Sequence, residues 1–303
     1  MSTKIKPVVV AAMRTPQGKK NGMFSSTRGE DLSAEIINHV LQTTEVEPKE
    51  VDDLVWGCAL QRGEQDNNIA RIIGLMSSLG ENVPATTVNR WCASSMQAIM
   101  TGSDAISAGQ RDCVIAGGVE HMTRVPMDEA SSFTKIHPEF MENYNIFELQ
   151  MGMTAEAVSG KFNISRMDQD LYALRSHEKA NSATKSGKFK QEIVPIEVEG
   201  ELKDEDEGIR GNTSIEKLEK LQPVFRGDGT VTAGNSSQIS DGAAVVMITS
   251  DGFAKERGLE ILATINGHAV AGVDPRLMGI GPIPATRKLL SRVGREIGDI
   301  DLV

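Results

Sequence analysis

The feature that most constrains this chain is the alternation of short β-branched runs with amphipathic stretches across its first 120 residues. Pro7 to Ala12 (PVVVAA) is an apolar run of the kind that forms a buried strand. Asp31 stands where a helix cap belongs, ahead of Leu32, Ile36, Ile37, Val40 and Leu41 at helical spacing. Leu54 to Leu60 reads as a second strand, Ile69 to Leu79 as a second amphipathic helix and Thr86 to Asn89 as a third strand. A third helix is expected over Ser94 to Ser107, with Met96, Ile99 and Ile106 on one face, and a fourth strand over Cys113 to Val119. Strands separated by helices need crossover connections, so the spacing predicts an α/β fold with a mostly parallel sheet.

From about Thr123 to Thr232 the pattern breaks. Aromatic, Met and charged residues mix, and helical stretches such as Met167 to Lys185 are joined by polar loops, which predicts a large excursion from the sheet. Ala243 to Ile248 (AAVVMI) returns to strand composition. A weak internal repeat follows: Leu41 through Asp53-Leu54-Val55 resembles Leu289 through Asp301-Leu302-Val303, at an offset of 248 (302 − 54 and 289 − 41). The first copy continues through Trp56 to Glu120, whereas the second stops at Val303 in an apolar segment. A second, truncated half is therefore expected, with strand edges and apolar faces left uncovered.

With 303 residues the chain is long enough for two or three domains. Its net charge of −10 disfavours a general nucleic-acid or membrane-surface binder, because a phosphate backbone would be repelled. A single anionic ligand held by a few local cations stays compatible with that charge. No window approaches the ~18 apolar residues that span a bilayer, and no apolar run precedes Pro7 as in a secretory signal. Three cysteines far apart in sequence do not form a disulfide framework, so a reduced, cytoplasmic setting is expected. The run Asp204-Glu205-Asp206-Glu207 reads as a solvated loop, and no His/Cys/Asp/Glu cluster has metal-ligand spacing.

The segment Val88-Asn89-Arg90-Trp91-Cys92-Ala93-Ser94-Ser95-Met96-Gln97 places one cysteine between a strand and a helix. Small residues follow it at once and leave room for a carbonyl to approach. The positive end of the helix dipole and free backbone N–H groups favour a thiolate at such a position, and the thiolate is the nucleophilic form. The ordinary reading of a lone cysteine is an inert buried thiol, and it fits Cys58 and Cys113, each within or at the end of a strand.

This segment resembles the signature around the acyl-carrying cysteine of the thiolase family. Further stretches agree: Arg14-Thr15-Pro16 with Gly18; Gly117-Gly118-Val119-Glu120-His121-Met122; and Gly229-Thr230-Val231-Thr232-Ala233-Gly234-Asn235-Ser236-Ser237 with Asp241-Gly242-Ala243. The resemblance runs in order through essentially all 303 residues. It implies a thiolase-like pair of duplicated βαβαβ halves with an inserted loop domain, the second half truncated. Residues 1–122 would form the amino-terminal half with the nucleophile, 123–242 the CoA-binding loop domain, 243–260 the last strand and helix of the first half, and 261–303 the start of the second.

By the same resemblance, Cys92 accepts the acyl group as a thioester, Ala233 and Ser237 line the pantetheine, and Arg210 lies near the adenosine end of coenzyme A. Met151, before Gly152 and a helix from Thr154 to Val158, borders the acyl pocket, although Gln150 stands where many thiolases have His. The implied activity is acetyl-CoA C-acyltransferase: a 3-ketoacyl-CoA and CoA give acetyl-CoA and a shortened acyl-CoA, as in fatty-acid β-oxidation. CoA is a co-substrate, and no permanently bound cofactor is implied. Condensation of two acetyl-CoA uses the same machinery, and a non-catalytic CoA-binding or subunit-pairing fragment is the alternative of another class. The family pattern continues with Asn-Glu-Ala-Phe, a Gly-His-Pro histidine and a Cys-x-Gly cysteine, none of which occurs here. His39, His121, His137, His177 and His268 lack that context and no cysteine follows Cys113, so these 303 residues are expected not to turn over. Implied partners are acyl-CoA substrates and a second copy in a homodimer or tetramer, with Thr86 to Asn89 near the interface, or a β-oxidation multienzyme assembly. No nucleic acid and no membrane span is expected.

Overall fold

In the computed structural model, which describes residues 5–127 and 136–303, the apolar run after Lys6 is strand β1, Pro7–Arg14, and a short β2, Gly18–Lys19, follows it. Then come α1 (Gly29–Thr44), β3 (Asp53–Gly57), α2 (Ile69–Met76), β4 (Ala85–Val88), α3 (Ser94–Ser107) and β5 (Cys113–His121). The excursion contains α4 (Pro138–Asn143), α5 (Met151–Phe162), α6 (Arg166–Lys185), a hairpin of β6 (Ile196–Val198) with β7 (Glu201–Lys203), and α7 (Ile215–Leu218). The chain ends through β8 (Ser240–Ser250), α8 (Asp251–Glu256), β9 (Ala263–Thr264) and α9 (Pro282–Val293). Two units result: residues 1–127, 186–208 and 239–266 form the first, and residues 128–185, 209–238 and 267–303 the second.

The first unit is built on one sheet in the order β4-β3-β5-β8-β1-β9, with β2 paired to β8. Successive side chains point to opposite faces, as the two-residue period of a strand requires. Leu54 and Trp56 of β3 and Ile115 of β5 join the core built with Leu32, Ile36, Val40, Ile69 and Ile73 of α1 and α2. Val55, Val114 and Ala116 face the other way, onto Ala98 and Ile106 of α3. Helices thus cover both faces of the sheet, and Trp56, Leu54, Ile36 and Ile106 are fully buried.

The expectation of a mostly parallel sheet is overturned. β3 pairs parallel with β4 and β5, but β8 runs antiparallel to both β5 and β1, and β9 antiparallel to β1. The long excursion explains this. It leaves at the end of β5 and returns at the same end, His121 lying opposite Asp241, so no crossover is made. Other local readings shift for local reasons. Asp31 is not the cap of α1; it is the third residue of the helix, and its carboxylate accepts the Arg28 N–H at 3.3 Å. Met96 is exposed on α3, whose buried face carries Ala98, Met100 and Ile106. The acidic run is not simply solvated: Arg14 binds Asp206 through two nitrogens at 2.7 and 3.0 Å, and Glu207 accepts the Lys19 and Met23 N–H groups.

The repeat persists in the backbone with a corrected register. α1 and α9 each end on a left-handed residue, Glu45 and Gly294. Each is followed by a 3-10 turn closed by an acid, Glu50 Oε2 accepting from Glu47 N and Asp299 Oδ2 from Glu296 N, both at 2.9 Å. The offset through this turn is 249 (294 − 45 and 299 − 50). It returns to 248 only at Leu54 and Leu302, because the second copy has one residue fewer after the turn.

Candidate active site

Cys92 is the exposed cysteine, while Cys58 and Cys113 are buried. It lies on the turn from β4 into α3, beyond the carboxyl end of the parallel strands, the customary place for a site in such a sheet. The turn is tight because Trp91 takes a left-handed backbone with φ of +50°. For a bulky L-residue that conformation costs about 1–2 kcal/mol and persists only where its surroundings impose it. Here they do. Asn89 Oδ1 accepts the Trp91 N–H at 2.8 Å, and the Trp91 carbonyl receives the Ser94 N–H at 2.9 Å and the Ser94 hydroxyl at 2.5 Å. Ser94 Oγ in turn accepts the Arg90 N–H at 2.9 Å. Cys92 is thereby presented two residues before the first turn of α3, where backbone N–H groups lack helical partners.

Glycines let α3 approach the sheet closely enough for this. A Cβ built on Gly57, the last residue of β3, would lie 2.4 Å from Ser94 C and Ser95 N. One on Gly118 would meet Ser95 Oγ at 2.1 Å, and one on Gly117 the Trp56 ring at 2.6 Å. The Gly117-Gly118 pair read as a glycine-rich strand end is therefore a seat for the helix that carries the site and for the central tryptophan.

Below the turn, Glu120 accepts the Ala59 and Leu60 N–H groups at 2.9 and 3.2 Å and the amide of buried Gln65 at 2.7 Å. Cys58 and Cys113 are pushed up to about 12, in both cases by burial first, with Glu120 adding at Cys58 and Asp52 at Cys113. Neither can supply a thiolate near neutral pH. His121 is fully buried, its Nε2 on the Phe24 carbonyl at 3.0 Å. It is a core residue.

In the second unit, Glu156 is 5 % exposed and clamps the segment after Gly229: it accepts the Thr230 N–H at 2.9 Å, the Val231 N–H at 2.8 Å and the Thr230 hydroxyl at 3.1 Å. A Cβ on Gly229 would stand 2.3 Å from the Glu156 carboxylate. Asp170, fully buried, receives Arg166 at 2.8 Å and the Asn235 amide at 3.0 Å, and Asn235 Oδ1 accepts the Thr232 N–H. Pinned from inside, the segment exposes Ala233 and Ser237 at its crest. Arg210 is exposed, and its backbone N–H donates to His177 Nδ1 at 3.2 Å. Met151 is the first residue of α5, not a residue ahead of a shorter helix, and is half exposed. A cleft of about 680 Å³ in this unit is lined by His137, Phe140, Tyr144, Leu149 and Arg276, with Phe140 stacked on Tyr144 at 4.9 Å.

Residues 7–252 match the family model of the thiolase N-terminal domain, and residues 259–303 that of the thiolase C-terminal domain. The chain belongs to the thiolase family. It is 47% identical over 304 residues to a 3-ketoacyl-CoA thiolase of Vibrio parahaemolyticus, covering 98% of this chain and 77% of that protein. A 3-ketoacyl-CoA thiolase of Idiomarina loihiensis is likewise 47% identical, with 78% of its length covered. Among solved structures, the acetyl-CoA acetyltransferase of Bacillus anthracis superposes with a TM-score of 0.89 at 37% identity, over 100% of this chain and 80% of that one. The thiolase fold expected from the Cys92 segment is thus the fold of the chain.

Of the thiolase residues singled out in the sequence, Cys92 lies in the first unit and Met151, Arg210, Ala233 and Ser237 lie in the second. Sequence reading missed Glu120, Glu156 and Asp170, although the first was quoted within the Gly117-Gly118 motif. Their partners on the site segments stand 61, 74 and 65 residues away, and no local period encodes such pairs. Among the described residues no helix is long and apolar enough to cross a membrane, and no group of three or more His, Cys, Asp or Glu could hold a metal ion.

Proposed function

We propose that this chain carries the acyl-accepting machinery of a 3-ketoacyl-CoA thiolase, the reaction that shortens fatty acyl-CoA in β-oxidation, with Cys92 as the nucleophile. The observation that carries the reading is the contrast among three cysteines: Cys92 alone is exposed, on a constrained turn at the start of a helix, while the other two thiols are buried. The chemistry needs such a group. Attack of the Cys92 thiolate on the 3-keto carbon gives a tetrahedral alkoxide, whose collapse breaks the C2–C3 bond. The acyl group stays on sulfur and acetyl-CoA leaves as its enolate, which is protonated at C2. The thiol of a second CoA then attacks the thioester and restores Cys92. The names of the relatives at 47% identity support the direction of cleavage; the reverse condensation shares every step.

Ala233 and Ser237 are proposed to line the pantetheine arm, Arg210 to stand near the anionic adenosine end and Met151 to border the acyl group. The pinned, exposed crest of the first two supports that reading, as does the exposed guanidinium of Arg210. CoA is the co-substrate. A reducing, cytoplasmic setting is proposed from the sequence alone, whose three cysteines stand far apart. A second copy is proposed to pair along β4, a sheet edge beside which Trp91, Leu75 and Met76 are exposed; sedimentation showing a monomer at micromolar concentration would contradict that. The family's acid–base histidine and second cysteine segments do not occur in these 303 residues, so by themselves they are proposed to accept an acyl group without sustained thiolysis. The test is incubation with acetyl-CoA, acid quenching and peptide mapping. A thioester on Cys92, absent from Cys92→Ala, is expected; acetoacetyl-CoA cleavage with turnover, or no acyl adduct on Cys92, would overturn the respective part.

A further inference from the structure

Trp91 is 67% exposed, so packing of its ring does not hold its left-handed backbone. Hydrogen bonds must, and one set leads away from the turn. The Asn89 side chain spends its oxygen on the Trp91 N–H at 2.8 Å and its nitrogen on the Ala59 carbonyl at 2.9 Å, which fixes both ends of the amide. Ala59 is itself immobilised, because Glu120 takes its N–H with one carboxylate oxygen and the Leu60 N–H with the other. Glu120 is anchored in β5 and braced by Gln65, whose amide donates to Glu120 and to the Leu60 carbonyl and whose oxygen accepts the His121 N–H. Gln65 is 1% exposed. A continuous path therefore runs from the buried sheet to the residue before Cys92, all of it within the first unit.

We propose that Glu120 and Asn89 are positioning residues for acyl transfer: Glu120 fixes the Ala59–Leu60 backbone, Ala59 fixes Asn89, and Asn89 imposes the strained Trp91 turn that presents Cys92. The inference rests on Cys92 being the acyl acceptor, but its test does not require acyl transfer. Without the path, Trp91 relaxes to an ordinary backbone and Cys92 withdraws from its exposed place just ahead of α3.

The experiment compares Glu120→Gln, Asn89→Ala and the double variant with the native chain. Two readings are taken: the second-order rate of Cys92 alkylation by iodoacetamide, located by mass spectrometry, and acrylamide quenching of tryptophan emission. Trp56 is fully buried, so quenching reports Trp91. Glu120 hydrogen-bonds to Ala59, Leu60 and Gln65 and not to residues 89–93, yet Glu120→Gln is expected to slow alkylation roughly three- to tenfold and to change the quenching, the scale of coupling between residues of one network. Asn89→Ala should do the same, and the double variant should be no slower than the slower single, since one path is cut twice. Native alkylation and quenching in Glu120→Gln, whatever its melting temperature, would overturn the proposal, as would a double variant slowed by the product of the two effects. Labelling of Cys58 or Cys113 would mean that the sheet had opened; Asn89→Ser, too short to reach Ala59, then decides between the same two outcomes. Absence of an acyl adduct from acetyl-CoA would remove the assignment of Cys92 and leave these rates as they are.

Discussion

Gly57→Ala is a direct probe of how the sheet seats the site. The added methyl would lie 2.4 Å from Ser94 C and Ser95 N, where ordinary contact begins at 3.4 Å. The first turn of α3 must therefore retreat by about 1.0 Å (3.4 − 2.4). The obstacle is backbone and cannot rotate away, so the cost belongs at the upper end of overpacking, about 3 kcal/mol. Because Cys92 lies two residues ahead of that turn, a displacement of about 1 Å carried to it would also impair acyl transfer by roughly a hundredfold. Urea unfolding followed by Trp56 emission reads the first effect, and acetylation of Cys92 by acetyl-CoA reads the second. A variant within about 0.5 kcal/mol of the native chain that also acetylates at the native rate would show that α3 is not seated on Gly57.

Gly160→Ala should do the opposite: a Cβ there meets nothing within 4 Å and the residue lies inside α5, so the helix should gain about 0.5–1 kcal/mol, read as slower amide exchange in α5. Cys58 and Cys113 ionise near 9.0 when exposed but are pushed up to about 12 by burial, so the stability they contribute is complete below pH 9 and is lost as pH rises towards 12. Urea stability should fall between those limits by up to about 1.4 kcal/mol per pH unit for each thiol, and less steeply in Cys113→Ala; an equal slope in that variant would contradict the burial argument. Glu156→Gln turns an acceptor of Thr230 and Val231 N–H groups into a partial donor, and should cost roughly 1–3 kcal/mol locally. Amide exchange at Thr230 and Val231 should then quicken by about tenfold or more, and unchanged exchange would mean that the clamp does not hold the segment.

Much of the first unit was legible because its signals are local. The bounds expected for α3 are those observed, and the run after Lys6 is indeed the first strand. The family could be read from the residues around Cys92 because several motifs follow in order. The direction of β8 was not legible: a strand returning after about 120 residues carries no mark of the end at which it enters. The left-handed Trp91 was hidden for a related reason. Its sequence neighbours favour no such backbone, and Asn89, Ser94 and the distant Ala59–Glu120 pair impose it. The charge run 204–207 misled in the same way, since only the fold brings Arg14 to Asp206, 192 residues away. Glu156 and Asp170 gave no sign at all, being ordinary helix acids until the chain returns at Thr230 and Asn235.

The central claim is that Cys92 receives the acyl group from a CoA thioester, and affinity labelling with bromoacetyl-CoA tests it most directly. The reagent needs only a bound CoA moiety and a thiolate in reach of its carbon, not turnover. The expected result is one adduct, on the peptide containing Cys92, formed faster than with iodoacetamide and suppressed by free CoA. Labelling of Cys58 or Cys113 in the folded chain, or Cys92 labelling indifferent to CoA, would contradict the account.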